Sequence, residues 1–115
     1  MMKRRLFHIG NDRIYVYICE SLLESILGLM FRNIGDNEGM LIRFPEFKVN
    51  AIHMMFVFFS IDVFWLDDKF KIVNVNKGVK PFSLYTSSNV RAKYALETRT
   101  GIINGNLSGK VVKFK

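Results

Sequence analysis

The sequence predicts a mainly β fold: one compact antiparallel domain of sandwich or barrel type carrying one short α-helix. Three observations carry that reading. Several short runs are rich in Val, Ile, Phe and Tyr and alternate with period two. Gly, Asn, Asp and Pro punctuate those runs as turn residues do. Only the stretch after Ser21 shows helical spacing. Many short strands with one early helix pack as a sandwich or a closed barrel.

Arg4 to Ile9 is expected as a first strand, joined through Gly10-Asn11-Asp12 to a second over Arg13 to Cys19. In the second, Ile14, Val16 and Ile18 share one face, with Tyr15, Tyr17 and Cys19 on the other. Ser21-Leu22-Leu23-Glu24 fits a capping box, in which each side chain satisfies the other residue's free amide. Leu22, Leu23, Ile26, Leu27 and Met30 then recur at helical spacing, and Gly28 lies close to the expected end. After a loop over 33–39, with Asp36 and Glu38 as turn residues, Met40 to Phe44 reads as a strand stopping before Pro45. Ile52 to Phe59 is apolar on both faces and is expected as an interior strand. Ile61 to Leu66 follows, then Phe70 to Val75 with Phe70 and Ile72 inward and Lys69 and Lys71 outward. A looser stretch over 76–89 leads to closing strands at Tyr94 to Thr98 and Val111 to Phe114.

The chain has 115 residues, half of them hydrophobic and 14% aromatic, which suits a single domain over 1–115 with its own core. Cys19 is the sole cysteine, so no internal disulfide forms and a reducing compartment is the natural setting. Basic residues open the sequence, but His8, Gly10, Asn11, Asp12 and Arg13 interrupt the apolar run that an export signal requires. The most apolar window, Ile52 to Leu66, falls short of the roughly 20 residues a spanning helix needs. A cytoplasmic protein with no membrane partner is expected.

Charge is unevenly placed. The net charge is +7. Residues 1–68 carry seven basic and nine acidic side chains, whereas 69–115 carry ten basic ones and only Glu97 as an acid. Lys69, Lys71, Lys93 and Lys113 therefore mark a candidate surface for an anionic partner. The same residues also suit a solvated face that keeps an apolar protein in solution.

Four polar residues fall inside apolar stretches: Arg32, His53, Asp62 and Glu97. A charge in such a setting must be paired or hydrogen-bonded, because burying it alone costs several kcal/mol. Arg32 offers a planar fork of donors that would satisfy Asp62 or Glu97. The cluster is either an internal brace or a pocket for a polar or anionic ligand, and the brace is the more economical reading. His53, followed by Met54, Met55 and Phe56, reads as a core or rim histidine. No catalytic residue is assigned. The sequence shows no serine elbow, no glycine-rich phosphate loop, and no spacing suited to a metal or cofactor.

At this point the residues resemble a known family. Gly28-Leu29-Met30-Phe31-Arg32 with Gly39-Met40-Leu41, then Ile52-His53 with Ile61-Asp62-Val63-Phe64-Trp65-Leu66-Asp67, look like its leading and central blocks. Val79-Lys80-Pro81, Leu96-Glu97, Gly101 and Gly109 follow in the family's order. The family is the one catalogued as domain of unknown function 192, and the similarity spans about residues 12–114. Two departures stand out. Phe58 and Ser60 occupy positions where the family usually has Arg and Pro, and Lys110 follows Gly109 where Asp is usual. The resemblance implies a small β-sandwich-like domain of unestablished activity.

The expected function is therefore a non-catalytic binding or accessory module without a cofactor. One alternative is a weak nucleic-acid binder using the basic 69–115 surface with Phe70, Phe82, Tyr85 and Tyr94 as stacking groups. The other is a small hydrolase or lyase built on Arg32, Asp62 and Glu97.

Overall fold

The computed structural model describes residues 3–19, 35–52, 59–83, 85–105 and 107–114. The described chain is mainly β, with seven strands: β1 Lys3–Ile9, β2 Asp12–Cys19, β3 Glu38–Ile52, β4 Ile61–Leu66, β5 Ile72–Val79, β6 Thr86–Arg99 and β7 Lys113–Phe114. All seven belong to one sheet in the order β5-β4-β6-β3-β2-β1-β7. The helix expected after Ser21 falls outside the described residues, as does most of the strand expected over Ile52 to Phe59.

The expected all-antiparallel sheet is in fact mixed, because β2 and β3 run parallel. A parallel pair needs a long crossover connection, and residues 20–37 supply its length. The other pairs are antiparallel, beginning with the β1–β2 hairpin. There Ile9 faces Asp12 across Gly10-Asn11, and Gly10 adopts a φ of 59° that suits the tight reversal.

Three strands run longer than the sequence suggests, or start elsewhere. β3 passes through Pro45 because its ladder with β6 slips between Arg43 and Lys48, and a bulge needs no amide donor at that point. β6 begins at Thr86, inside the stretch expected to be loose. β5 starts at Ile72, because Phe70 sits at a φ of 64° within a turn. Among the interior strands, β4 is buried at all six positions between β5 and β6.

Alternation along these strands sorts the apolar side chains onto two faces. Phe7, Ile9, Ile14, Val16, Leu41, Phe64, Leu66, Ile72 and Leu96 form one core, with Ile103 and Val112 from the later loops. Met40, Ile42, Phe44, Ile61, Val63, Trp65, Ala92 and Ala95 form the other, with Cys19. We call these the Phe64 face and the Trp65 face. A fully buried aromatic or aliphatic side chain contributes roughly 1.5–3 kcal/mol, so both faces stabilise the sheet.

One short segment touches both edges of the sheet. Gly109 N donates to Ile72 O, Ile72 N to Lys110 O and Val112 N to Phe70 O, each at 2.8 Å. β7 then pairs with β1 through Phe7–Phe114 and His8–Lys113.

Candidate functional site

Asp62 is 1% exposed and lies on β4 between Ile61 and Val63, so alternation turns it to the Phe64 face. Its Oδ1 accepts from Gly78 N at 2.7 Å and its Oδ2 from Gly101 N at 3.0 Å. Both glycines are left-handed, at φ of 63° and 85°, and this geometry presents their amides to the carboxylate. Lys77 Nζ lies 3.5 Å from Oδ2, donates to Ile103 O at 2.7 Å and sits 4.9 Å from the centre of the Phe64 ring. Asp62 thus ties the end of β5 to the turn after β6. Gly101→Ala, with open space at its Cβ, is expected to cost about 1 kcal/mol through backbone strain alone, measured by urea unfolding.

Glu97 is also 1% exposed but turns the other way. On β6 it pairs with Met40 of β3 and Val63 of β4, both in the Trp65 core. Its Oε2 is buried and has no hydrogen-bond partner among the described residues. Burial disfavours the charged form and raises its pKa from 4.5 to about 8, so near neutral pH it is mostly a protonated acid. Asp62 pairs with Thr98, the neighbour of Glu97. Directly paired residues share a face, so Asp62 and Glu97 lie on opposite sides of the sheet. Arg32 and His53, the other two members of the predicted cluster, lie outside the described residues.

Glu38 is more than the turn residue expected from its neighbours. It opens β3, and its Oε2 accepts from the Tyr17 hydroxyl at 2.6 Å while Oε1 accepts from Gly35 N at 2.9 Å. Among the described residues, no group of three His, Cys, Asp or Glu side chains comes together as a metal site requires. No helix among them is long and apolar enough to cross a membrane.

Of the four candidate lysines, Lys69, Lys71 and Lys113 are exposed, and none makes an ion pair or side-chain hydrogen bond among the described residues. Lys71 bridges to Val111, two residues before Lys113, which brings the Lys71 and Lys113 backbones close. Lys93 is half-buried and donates to Pro45 O at 2.9 Å, so it is partly committed to the fold. The turn carrying Lys69 and Lys71 is held by Asp67, whose Oδ1 accepts from both of their amides at 2.8 and 3.0 Å.

Sequence reasoning missed a cleft of about 420 Å³ on the Phe64 face, lined by Phe7, Ile18, Cys19, Leu41, Arg43, Phe70, Tyr94 and Phe114. The signal was present. Arg43 interrupts the apolar run Met40-Leu41-Ile42 just as Arg32 interrupts its own.

Three comparisons bear on this arrangement. The profile of the DUF192 family, described as Uncharacterized ACR, matches residues 6–114. A UPF0127 protein of Pyrococcus horikoshii is 36% identical over 89 residues, covering 76% of this chain and 74% of its own. One from Thermococcus kodakarensis is 35% identical over 91 residues, covering 76% of this chain and 55% of its own. A solved structure from Sinorhizobium meliloti, described as "a putative transcription regulator", superposes with a TM-score of 0.86 at 19% identity, covering 99% of this chain and 94% of that one. A protein of unknown function from Novosphingobium aromaticivorans gives 0.79 at 18% identity, covering 97% and 84%. At those identities the likeness concerns the fold alone.

Proposed function

This chain belongs to the uncharacterised DUF192 family, and from that premise we propose that it is a non-catalytic binding module whose partner is anionic. The observation that carries the proposal is the divergence of Asp62 and Glu97 onto opposite faces. Paired acid–base chemistry needs two groups within reach of one substrate. Here one carboxylate is occupied by two amides and Lys77, and the other is sealed in an apolar core. Lys69, Lys71 and Lys113, exposed and without an ion pair among the described residues, are available to meet a partner.

The reading includes a barrel-like body, supported by residues 109–114, which pair with both sheet edges. It also includes a cytoplasmic, reducing setting, which suits the lone buried Cys19.

A second reading is a nucleic-acid binder, favoured by the basic 69–115 half. Against it, Phe70 and Tyr94 stack on each other, with ring centres 4.5 Å apart, instead of standing free for bases. Of the four candidate stacking groups, Tyr85 and Phe82 are exposed, at 71% and 52%. Titrating single-stranded RNA and inorganic polyphosphate at two salt concentrations separates the readings. Comparable, salt-sensitive binding of both is expected of a general anion module. A strong preference for RNA favours the nucleic-acid reading, and no binding of either removes both.

A further inference from the structure

We infer that the cleft on the Phe64 face is a binding site for a small aromatic carboxylate, with Arg43 as its clamp. Position is the first argument. Arg43 follows Leu41 on the same alternation of β3 and pairs with Tyr94 of β6, so it stands on the Phe64 side of the sheet where the buried row gives way to solvent. Arg43 is exposed and among the described residues makes no ion pair and no side-chain hydrogen bond, so its donors stand open at the rim of the cleft. Asp67, in the nearby turn, is engaged by the Lys69 and Lys71 amides.

The walls supply the second argument. Phe70 stacks on Tyr94 at 4.5 Å and meets Phe114 at 5.3 Å, and Phe114 stacks on Phe7 at 5.4 Å. Phe70 adopts a φ of 64°, which a bulky side chain rarely takes, and backbone strain of this kind clusters at ligand clamps. The 67–71 turn stays in this conformation because Asp67 binds two of its amides and Phe70 O accepts from Val112 N. That arrangement holds Phe70 as one wall of the cleft.

The ligand class follows from the lining. A planar fork of N–H donors matches a carboxylate in bidentate fashion, and aromatic walls whose faces are already stacked on each other take a flat ring by edge contact. A space of about 420 Å³ falls within the range of small-molecule sites. None of the four candidate lysines is among the lining residues, and Lys93 and Lys113 alternate to the side of their strands opposite Tyr94 and Phe114.

The test uses the full ¹⁵N-labelled chain titrated with indole-3-acetate, with indole and inorganic phosphate as separate arms. Saturable shifts at the amides of Leu41, Arg43, Phe70, Tyr94 and Phe114 are expected with indole-3-acetate. Arg43→Gln, at an exposed position, is expected to keep the native spectrum and weaken indole-3-acetate about tenfold or more, while leaving the weaker indole response unchanged. Phe114→Ala is expected to weaken both ring-bearing probes. The inference is overturned if Arg43→Gln binds indole-3-acetate as the wild type does. It is equally overturned if phosphate alone reproduces the saturable shifts, or if no probe moves those amides.

Discussion

Replacing Asp62 with alanine is expected to destabilise the fold by about 3 kcal/mol, since net hydrogen bonds to a charged group are worth roughly 1.5–3 kcal/mol each. Two such bonds, from Gly78 N and Gly101 N, end on this carboxylate. The loss is held below the sum because both glycines are exposed and water can replace part of what is removed. Asp62→Asn keeps one acceptor but points an amide donor at another donor, so about 2 kcal/mol is expected. Lys77→Ala should cost under about 1 kcal/mol, because the lysine side chain is 43% exposed and its ion pair is screened. Urea unfolding with unchanged m-values reads this order directly. Full stability in Asp62→Asn would remove the brace and reopen Asp62 as a ligand-facing group.

Glu97 should make the protein less stable as pH rises through neutrality, the reverse of an ion-paired carboxylate. Its folded pKa of about 8 lies above its ordinary 4.5, so in that window the folded state holds a proton that the unfolded state has released. Stability contributed by the protonated acid is full below about pH 4.5 and declines as pH rises towards 8, levelling off above it. The slope is at most about 1.4 kcal/mol per pH unit, giving a loss of several kcal/mol across the window. Glu97→Gln mimics the protonated acid without the titration. Its own buried amide costs about 1–3 kcal/mol, so the variant is expected to be the less stable protein near pH 5 and to overtake the wild type near pH 8. Denaturant midpoints of the two proteins across that range check this. Parallel curves would show that Glu97 ionises normally in the fold.

The sequence made the strands at Arg4 to Ile9, Arg13 to Cys19 and Ile61 to Leu66 legible, because period-two alternation and the Gly10-Asn11 turn are local signals. What escaped depends on partners distant in the chain. The bulge that carries β3 through Pro45 is a property of its ladder with β6, and Phe70 takes a conformation its own preferences oppose. The parallel β2–β3 pair follows from a crossover that no local pattern reveals. At the site, Asp62 and Glu97 were recognisable as carboxylates among apolar neighbours. Their faces were not, because one register, Asp62 opposite Thr98, decides them. Lys77 as the partner of Asp62 was hidden for the same reason. Arg43 carried as clear a signal as Arg32, but only the cleft around it separates it from an ordinary surface arginine.

The proposal that exposed cations, and not the carboxylates, do the binding is tested most directly by the salt dependence of single-stranded RNA binding in one triple variant. That variant is Lys69→Ser, Lys71→Ser, Lys113→Ser, with each site exposed and without an ion pair among the described residues. Removing three phosphate contacts should reduce the slope of log affinity against log salt by about 2 and weaken binding at low salt, with the fold intact. An unchanged slope and affinity in the triple variant, or equal loss of binding in a folded Glu97→Gln protein, would contradict it.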